Sequence, residues 1–276
     1  MKIQFLGTAA AEGIPALWCS CDNCKRSRMI GGRAVRSRSQ ALIDGKLLID
    51  FPADTYWHMM KNSIDLLDID HCLITHSHSD HLYPADIDMI KPGFSNAPSG
   101  YKLTLHGTDT MADKLIDTVS PIAEKFGIVA FENIEAFAPQ KIGGYIVTAL
   151  PAIHDPKSGP VFYQIQGEKN VLYAHDTHYF HDDVWAYWEK TKPHFDLVSL
   201  DCTNACTPMT YVGHMSFEEN IQVKKKMCDM GIADESTLFI CNHFSHNGTS
   251  VVYDDFVPIA AKEGFLVSYD GMTVNI

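Results

Sequence analysis

The densest chemistry in the sequence lies in Thr75-His76-Ser77-His78-Ser79-Asp80-His81, directly after the strand-like Cys72-Leu73-Ile74. Four side chains able to hold a metal fall within six residues. On an extended turn His76 and His78 project to one side by the period of two, while Asp80 and His81 turn toward a neighbouring point. Such a stretch can serve two ions. A binuclear centre needs further donors, and three stand just past β-rich runs, where converging loops build sites: His154 after Tyr145 to Leu150, Asp176 after Val171 to Ala174, His243 after Leu238 to Cys241. Together these make seven donors, enough for two four- or five-coordinate ions that share a carboxylate and a water. Spacing alone leaves His154 and His243 open between ligand and ordinary polar residue. A second cluster, Cys19, Cys21 and Cys24, falls within six residues, while Cys72, Cys202, Cys206, Cys228 and Cys241 are scattered. In a cytoplasmic chain such a cluster points to metal before disulfide.

The elements that must position these groups belong to a sheet-rich α/β chain of 276 residues, 46% hydrophobic and 20% charged. That composition excludes disorder, collagen and coiled coil. No apolar run approaches the roughly 20 residues that span a bilayer, and the run from Met1 to Gly7 lacks a secretory leader. The expected compartment is the cytoplasm. Lys plus Arg total 22 against 34 Asp plus Glu, for a net charge of −12, which disfavours a nucleic-acid partner. Short β-rich runs recur between amphipathic segments, and Asp44-Gly45 and Asp270-Gly271 read as hairpin turns, so the expected sheets are mixed. Helices are expected at Asp54 to Lys61, Thr110 to Asp117, Asp182 to Glu189, Ser216 to Met227 and Val251 to Ala261. The fourth starts on a Ser216/Glu219 capping box, and the last is kinked or interrupted at Pro258. No repeat or linker marks a boundary, which leaves one domain over residues 1–276 as the default.

The set His76-x-His78-x-Asp80-His81, His154, Asp176 and His243 resembles the metallo-β-lactamase superfamily from the first strand to the last. The resemblance implies an αββα sandwich, two mixed sheets flanked by helices, with two divalent ions (Zn or Mn) at one edge. It assigns His76, His78 and His154 to the first ion and Asp80, His81 and His243 to the second, with Asp176 bridging; Asp80 is also expected to take part in catalysis. The run Trp18-Cys19-Ser20-Cys21-Asp22-Asn23-Cys24, with His243-Phe244-Ser245-His246, is similar to the PhnP type of phosphodiesterase, the phosphoribosyl cyclic phosphate hydrolase of the carbon–phosphorus lyase pathway. There Cys19, Cys21, Cys24 and His246 would hold a structural zinc, a knuckle at residues 19–24. Three thiolates and an imidazole form a closed tetrahedral site with no open position.

Ribonuclease Z and its phosphodiesterase relatives add a Gly-His element before a helix and an acid at a strand end, matched here by Gly213-His214 and Asp201. By that likeness His214 protonates the leaving oxygen, and Asp201 fixes its tautomer and raises its pKa. The helix start beyond it would favour a phosphate nearby. The expected function is binuclear hydrolysis of a small phosphodiester. Alternatives are a ribonuclease Z-like nuclease, a lactonase or thioesterase, and a non-catalytic carrier of the cofactor-biosynthesis kind. His175, His178 and His181 are expected as polar rim, His178 nearest substrate, and residues 82–107 as part of the same rim. His58, His71, His106 and His194 are expected as ordinary residues. Cys202 and Cys206 read as packing, and Lys224 to Lys226 as a solvated face. Oligomeric state stays open, with family habit leaning to a homodimer.

Overall fold

The computed structural model describes residues 1–208, 211–247 and 251–276. Fourteen strands follow in chain order: β1 Lys2–Gly7, β2 Gln40–Ile43, β3 Leu47–Ile49, β4 His71–Leu73, β5 Leu103–Gly107, β6 Val129–Asn133, β7 Gln140–Ile142, β8 Tyr145–Pro151, β9 Val161–Gln166, β10 Asn170–Ala174, β11 Leu197–Asp201, β12 Leu238–Asn242, β13 Phe265–Val267 and β14 Met272–Asn275. The helices are α1 Asp22–Ile30, α2 Thr55–Asn62, α3 Pro84–Ile87, α4 Asp109–Leu115, α5 Ser120–Phe126, α6 Asp182–Thr191, α7 Phe217–Asp229 and α8 Tyr253–Lys262.

The strands make two seven-stranded sheets, β14-β1-β2-β3-β4-β5-β6 and β13-β12-β11-β10-β9-β8-β7. In each, one half is antiparallel and the other parallel, with the change at β3/β4 and at β9/β10/β11. The alternation of side chains along a strand explains the layering. On β10, Val171 and Tyr173 face the core between the sheets, together with Phe5, Ile43, Ile49 and Leu73. Its Leu172 and Ala174 point the other way, onto Trp185 and Trp188 of α6 and Val223 and Met227 of α7. On the first sheet Leu42, Leu48 and Leu105 likewise turn outward onto Ile87, Met111 and Leu115 of the helices there. Helix, sheet, sheet and helix are therefore stacked as the αββα expectation requires.

Asp44-Gly45 closes the β2/β3 hairpin, both residues having positive φ (50° and 70°). Asp270-Gly271 does not close a hairpin: β13 pairs with β12 in one sheet and β14 with β1 in the other, so this turn carries the chain between sheets. The Asp270 carboxylate instead accepts hydrogen bonds from Thr8, from the Ser37 hydroxyl and from the Ser37 backbone N–H. Helix α8 runs through Pro258 as one element, with Phe256 and Ala260 packed into the core on either side of it. Among the described residues no helix is long and apolar enough to cross a membrane.

Candidate active site

Strands β8, β10, β11 and β12 run in one direction, so their C-terminal ends open on a single edge of the second sheet. Past those ends stand His154, Asp176 and His243, and Asp201 is the last residue of β11. From the first sheet the loop after β4 brings His76, His78, Asp80 and His81 to the same edge. That loop is tied across the seam by the Ser77 backbone N–H donating to the Ser158 carbonyl and by the Val161 N–H donating to the Thr75 carbonyl.

The ring nitrogens of His76, His78 and His154 converge: His76 Nε2 lies 3.0 Å from His78 Nδ1, and His154 Nε2 lies 3.2 Å from the same atom. Nitrogens bound tetrahedrally at about 2.0–2.1 Å from an ion sit about 3.3 Å apart, the same scale. A second group gathers beside it. His81 Nε2 is 3.1 Å from Asp80 Oδ2 and 3.1 Å from Asp176 Oδ2, which is 2.9 Å from His243 Nε2. Asp176 thus lies between the groups, with Oδ1 toward His154 at 3.7 Å and Oδ2 toward His81 and His243. Despite this closeness, His81 Nε2, His243 Nε2 and Asp176 Oδ2 are buried and make no hydrogen bond of acceptable geometry. Buried polar atoms left so cost several kcal/mol unless something satisfies them. Converging imidazole and carboxylate donors with orphaned tips fit a pair of divalent ions.

The far sides of the rings are held. Asp50, fully buried at the end of β3, lies 2.7 Å from His81 Nδ1 and accepts from the backbone N–H and hydroxyl of Thr75. Thr203 donates its hydroxyl to the His243 carbonyl and sits 2.9 Å from His243 Nδ1, so the ring N–H donates to it and Nε2 keeps its lone pair. Asp50, Asp176 and His243 all have left-handed backbone, φ 66°, 52° and 60°. Non-glycine residues rarely adopt it, and such strain gathers where side chains must be aimed.

His214 lies in the same recess. Asp201 Oδ2 is 2.8 Å from His214 Nδ1, and Asp201 Oδ1 accepts from the backbone N–H groups of Thr203 and Met215. Burial disfavours charge on His214, but the buried Asp201 carboxylate outweighs it and lifts the imidazole to about 9. Its ring stacks on that of His243 at 5.5 Å and meets His154 edge-on at 4.9 Å. The His154 Nδ1–H donates to the carbonyl of Gly213, whose φ of 145° suits glycine alone. His214 lies just ahead of Ser216, whose backbone N–H donates to the Glu219 carboxylate in the expected capping box of α7.

Two expectations about the rim fail. His175 is 1% exposed, its Nε2 near Ser199 and Asn242 and its ring packed on Tyr173, because the residue before Asp176 points into the sheet. His178 is half-buried, and its Nδ1–H donates to the His214 carbonyl at 2.7 Å. Residues 82–107 contribute nothing to the recess. Its walls, beyond the residues above, are Ala10, Ala11, Glu12, Tyr211, Ser245 and Asn247, around a cavity of about 160 Å³. His181 is exposed and stands at the N-cap of α6. Asp50, Thr203 and Glu12 escaped the sequence reading; Asp50 carries the signal that found Asp201, an acid at a strand's end.

The four residues of the knuckle also meet. Cys19 Sγ and Cys21 Sγ lie 3.4 and 3.5 Å from His246 Nδ1, and the donor atoms of Cys19, Cys21, Cys24 and His246 are all within 4.8 Å of one another. A tetrahedral zinc with Zn–S of about 2.3 Å and Zn–N of about 2.0–2.1 Å spaces such mixed pairs about 3.5 Å apart, so the set fits that ion.

Comparison with curated protein sequences finds no match. Among solved structures, the chain is similar to a diphosphatase from the PhnP family (20% identity, 99% of this chain and 97% of that one, TM-score 0.74) and to Zn(2+)-bound PqqB from Methylobacterium extorquens (17% identity, 100% of both chains, TM-score 0.71). It is also similar to the short form of human tRNase Z (16% identity, 100% of this chain and 99% of that one, TM-score 0.67). At these identities the likeness speaks for the fold. The family model for the Beta-lactamase superfamily domain matches residues 48–232, which hold the His76 to His81 motif, His154, Asp176, Asp201 and His214, and with it the chain belongs to the β-lactamase superfamily, among its metal-dependent hydrolases.

Proposed function

We propose that this metal-dependent hydrolase is a binuclear phosphodiesterase acting on a small cyclic phosphodiester such as a ribose cyclic phosphate. The observation that carries the reading is the carboxylate of Asp176, set between two groups of donors, with an acid–imidazole pair, Asp201 and His214, facing the same recess. In this reading His76, His78 and His154 hold one divalent ion, Asp80, His81 and His243 hold the other, and Asp176 bridges. Bound there, the ions supply Lewis acidity toward phosphoryl oxygens and acidify water.

The rest falls to the chain's own side chains. Asp80, at the wall of the recess, accepts a hydrogen bond from the attacking water and so orients it for in-line attack. His214, charged at neutral pH, passes its Nε2 proton to the departing oxygen, a service a sugar alkoxide needs and a nitrophenolate does not. Asp201 fixes the tautomer and orientation of that imidazole. The recess of about 160 Å³ admits a small diester, and with the net charge of −12 this favours a small molecule over tRNA. Cys19, Cys21, Cys24 and His246 are assigned a structural zinc, and one domain in a reducing cytoplasm accommodates it.

The test is metal analysis of the purified protein, paired with hydrolysis of bis(p-nitrophenyl) phosphate and a ribose cyclic phosphate before and after chelation and return of Zn or Mn. Up to three ions per chain and chelator-sensitive diesterase activity are expected. Only one zinc, with no diesterase activity after metal return, overturns the reading in favour of a carrier, and faster lactone than diester hydrolysis overturns the substrate class.

A further inference from the structure

Each imidazole of the candidate centre has a partner on its far side, and one of those partners is unlike the rest. His76 Nδ1 lies 3.0 Å from the Thr75 hydroxyl, His81 Nδ1 2.7 Å from Asp50, His243 Nδ1 2.9 Å from Thr203 and His154 Nδ1 3.1 Å from the Gly213 carbonyl. Those four rings are buried or nearly so. The fifth, His78, has a side chain 36% exposed, and its partner is a carboxylate that is itself 45% exposed: His78 Nε2 lies 3.3 Å from Asp155 Oδ2. The other ring nitrogen, Nδ1, faces Nε2 of His76 at 3.0 Å and Nε2 of His154 at 3.2 Å. A lone pair turned to that point leaves the proton on Nε2, from which it is donated to Asp155.

Asp155 is fastened in its turn. It caps a single helical turn, Pro156–Ser158, with Oδ1 accepting from the Lys157 backbone N–H at 3.1 Å, while its carbonyl accepts from the Ser158 N–H at 3.0 Å and the Ser158 hydroxyl at 2.7 Å. The Ser158 carbonyl then accepts from the backbone N–H of Ser77, which stands between His76 and His78, and from the hydroxyl of Thr110 on α4 at 2.7 Å. One turn, directly after His154, therefore ties down the peptide between His76 and His78 and aims a carboxylate at the ring of the second. A His–Asp pair this exposed contributes little to folding. Its leverage is on the ring: an acceptor on one N–H fixes the orientation of an imidazole and raises the basicity of its opposite nitrogen. The half-exposed ring of His78 depends on that acceptor more than its buried counterparts do.

Resting on the binuclear reading, we propose that Asp155 is a positioning residue for the first ion: it holds His78 with Nδ1 aimed at the point shared with His76 and His154, so that the ion there, and not the one assigned to Asp80, His81 and His243, depends on it. The first ion is thereby the one whose hold on the chain is set at the exposed rim, and the one lost first when Asp155 is replaced.

The test titrates zinc into the chelated protein in competition with a chromophoric chelator, for the wild type, Asp155→Asn and Asp155→Ser. Asparagine keeps an oxygen for the Lys157 N–H but can turn its amide N–H toward that of His78; serine keeps a cap on the turn and leaves the ring without its carboxylate. In both variants one ion of the centre is expected to bind about 10–100-fold more weakly, with the other ion and the cysteine-held zinc unchanged. The zinc concentration for half-maximal hydrolysis of bis(p-nitrophenyl) phosphate should rise by the same factor, and the chelated variants should melt with the chelated wild type. Affinities equal in the wild type and both variants overturn the proposal. So does a loss shared by all the ions, or one matched by a lower melting temperature of the chelated variants, either of which makes Asp155 a support of the turn alone. A wild type that binds only the cysteine-held zinc sinks the binuclear reading itself, whereas one that binds both ions of the centre, with affinities unmoved in the variants, sinks only the role of Asp155.

Discussion

His214 is the residue whose chemistry depends most on its neighbours. Its folded pKa of about 9 lies above the ordinary histidine value of about 6.5 because Asp201 outweighs burial, so the imidazole stays charged as pH rises through neutrality and discharges only through about 9. A general acid loses activity as it loses its proton. The rate on a diester with an alkoxide leaving group should therefore fall on the alkaline side, at a pH that bound ions beside His154 and His243 would bring below that of the metal-free imidazole, and Asp201→Asn should move that fall to lower pH; a profile unmoved in that variant would contradict the pairing. His214→Ala should retain its metal and lose about 10²–10⁴-fold on the same diester, with a smaller loss on a nitrophenyl ester. Equal losses on both, measured side by side, would remove the proton-donor role. His58 shows the opposite sign. Packed 1% exposed between Gln40 Oε1 and Ser37 Oγ, it is pushed by burial down to about 4. The unfolded chain binds that proton first, so its stabilising share is whole above about 6.5 and is lost between about 6.5 and 4 as pH falls. Urea midpoints at pH 7 and pH 5 should differ by less in His58→Gln than in the wild type.

Elements decide which of these residues can meet. The loop from β12 supplies His243 to the centre, Ser245 and Asn247 to the Glu12 wall, and His246 to the cysteines, while Cys21 caps the start of α1 by accepting from the Cys24 N–H. The knuckle thus pins two loops that line the recess. Cys21→Ser should release the zinc, lower the melting temperature, and raise KM more than it lowers kcat, with the binuclear ions initially retained. Zinc content at the wild-type level would remove Cys21 from the site. The His76 to His81 motif was legible because four donor side chains fall within six residues, although residues 77–81 form bends and turns rather than strand, whereas His154 and His243 stood open on spacing and took their role from the resemblance. The capping box at Ser216 was legible as well. The supports were not, because Thr203 acts through a hydroxyl and a backbone carbonyl, and a threonine two residues after an acid carries no signature in sequence. The Asp270-Gly271 turn misled for a related reason. Asp-Gly marks a tight reversal, but whether the next strand joins the same sheet depends on a pairing with β1 some 270 residues away.

On the scale of the whole molecule the centre is a seam. His76, His78, Asp80 and His81 come from the first sheet, and His154, Asp176 and His243 from the second, so ions held by both sets, as proposed, would join the two halves. Folding without them buries Asp80 and Asp176 among histidines whose tips stay unsatisfied. Ions that bind the folded chain and not the unfolded one stabilise it in proportion to occupancy, by about 2.7 kcal/mol at a free-ion concentration a hundred times Kd, or roughly 5–10 °C in melting temperature. Chelated protein should regain that increment as Zn or Mn is returned. Asp176→Asn separates this linkage from ordinary packing. Without metal it takes away a buried carboxylate that His243 and His81 hold well below the usual range, so its melting temperature should fall below that of the metal-free wild type. With metal it should gain little, because the shared carboxylate is gone. A metal-induced increment in Asp176→Asn equal to that of the wild type would mean that the ions do not bridge through this residue.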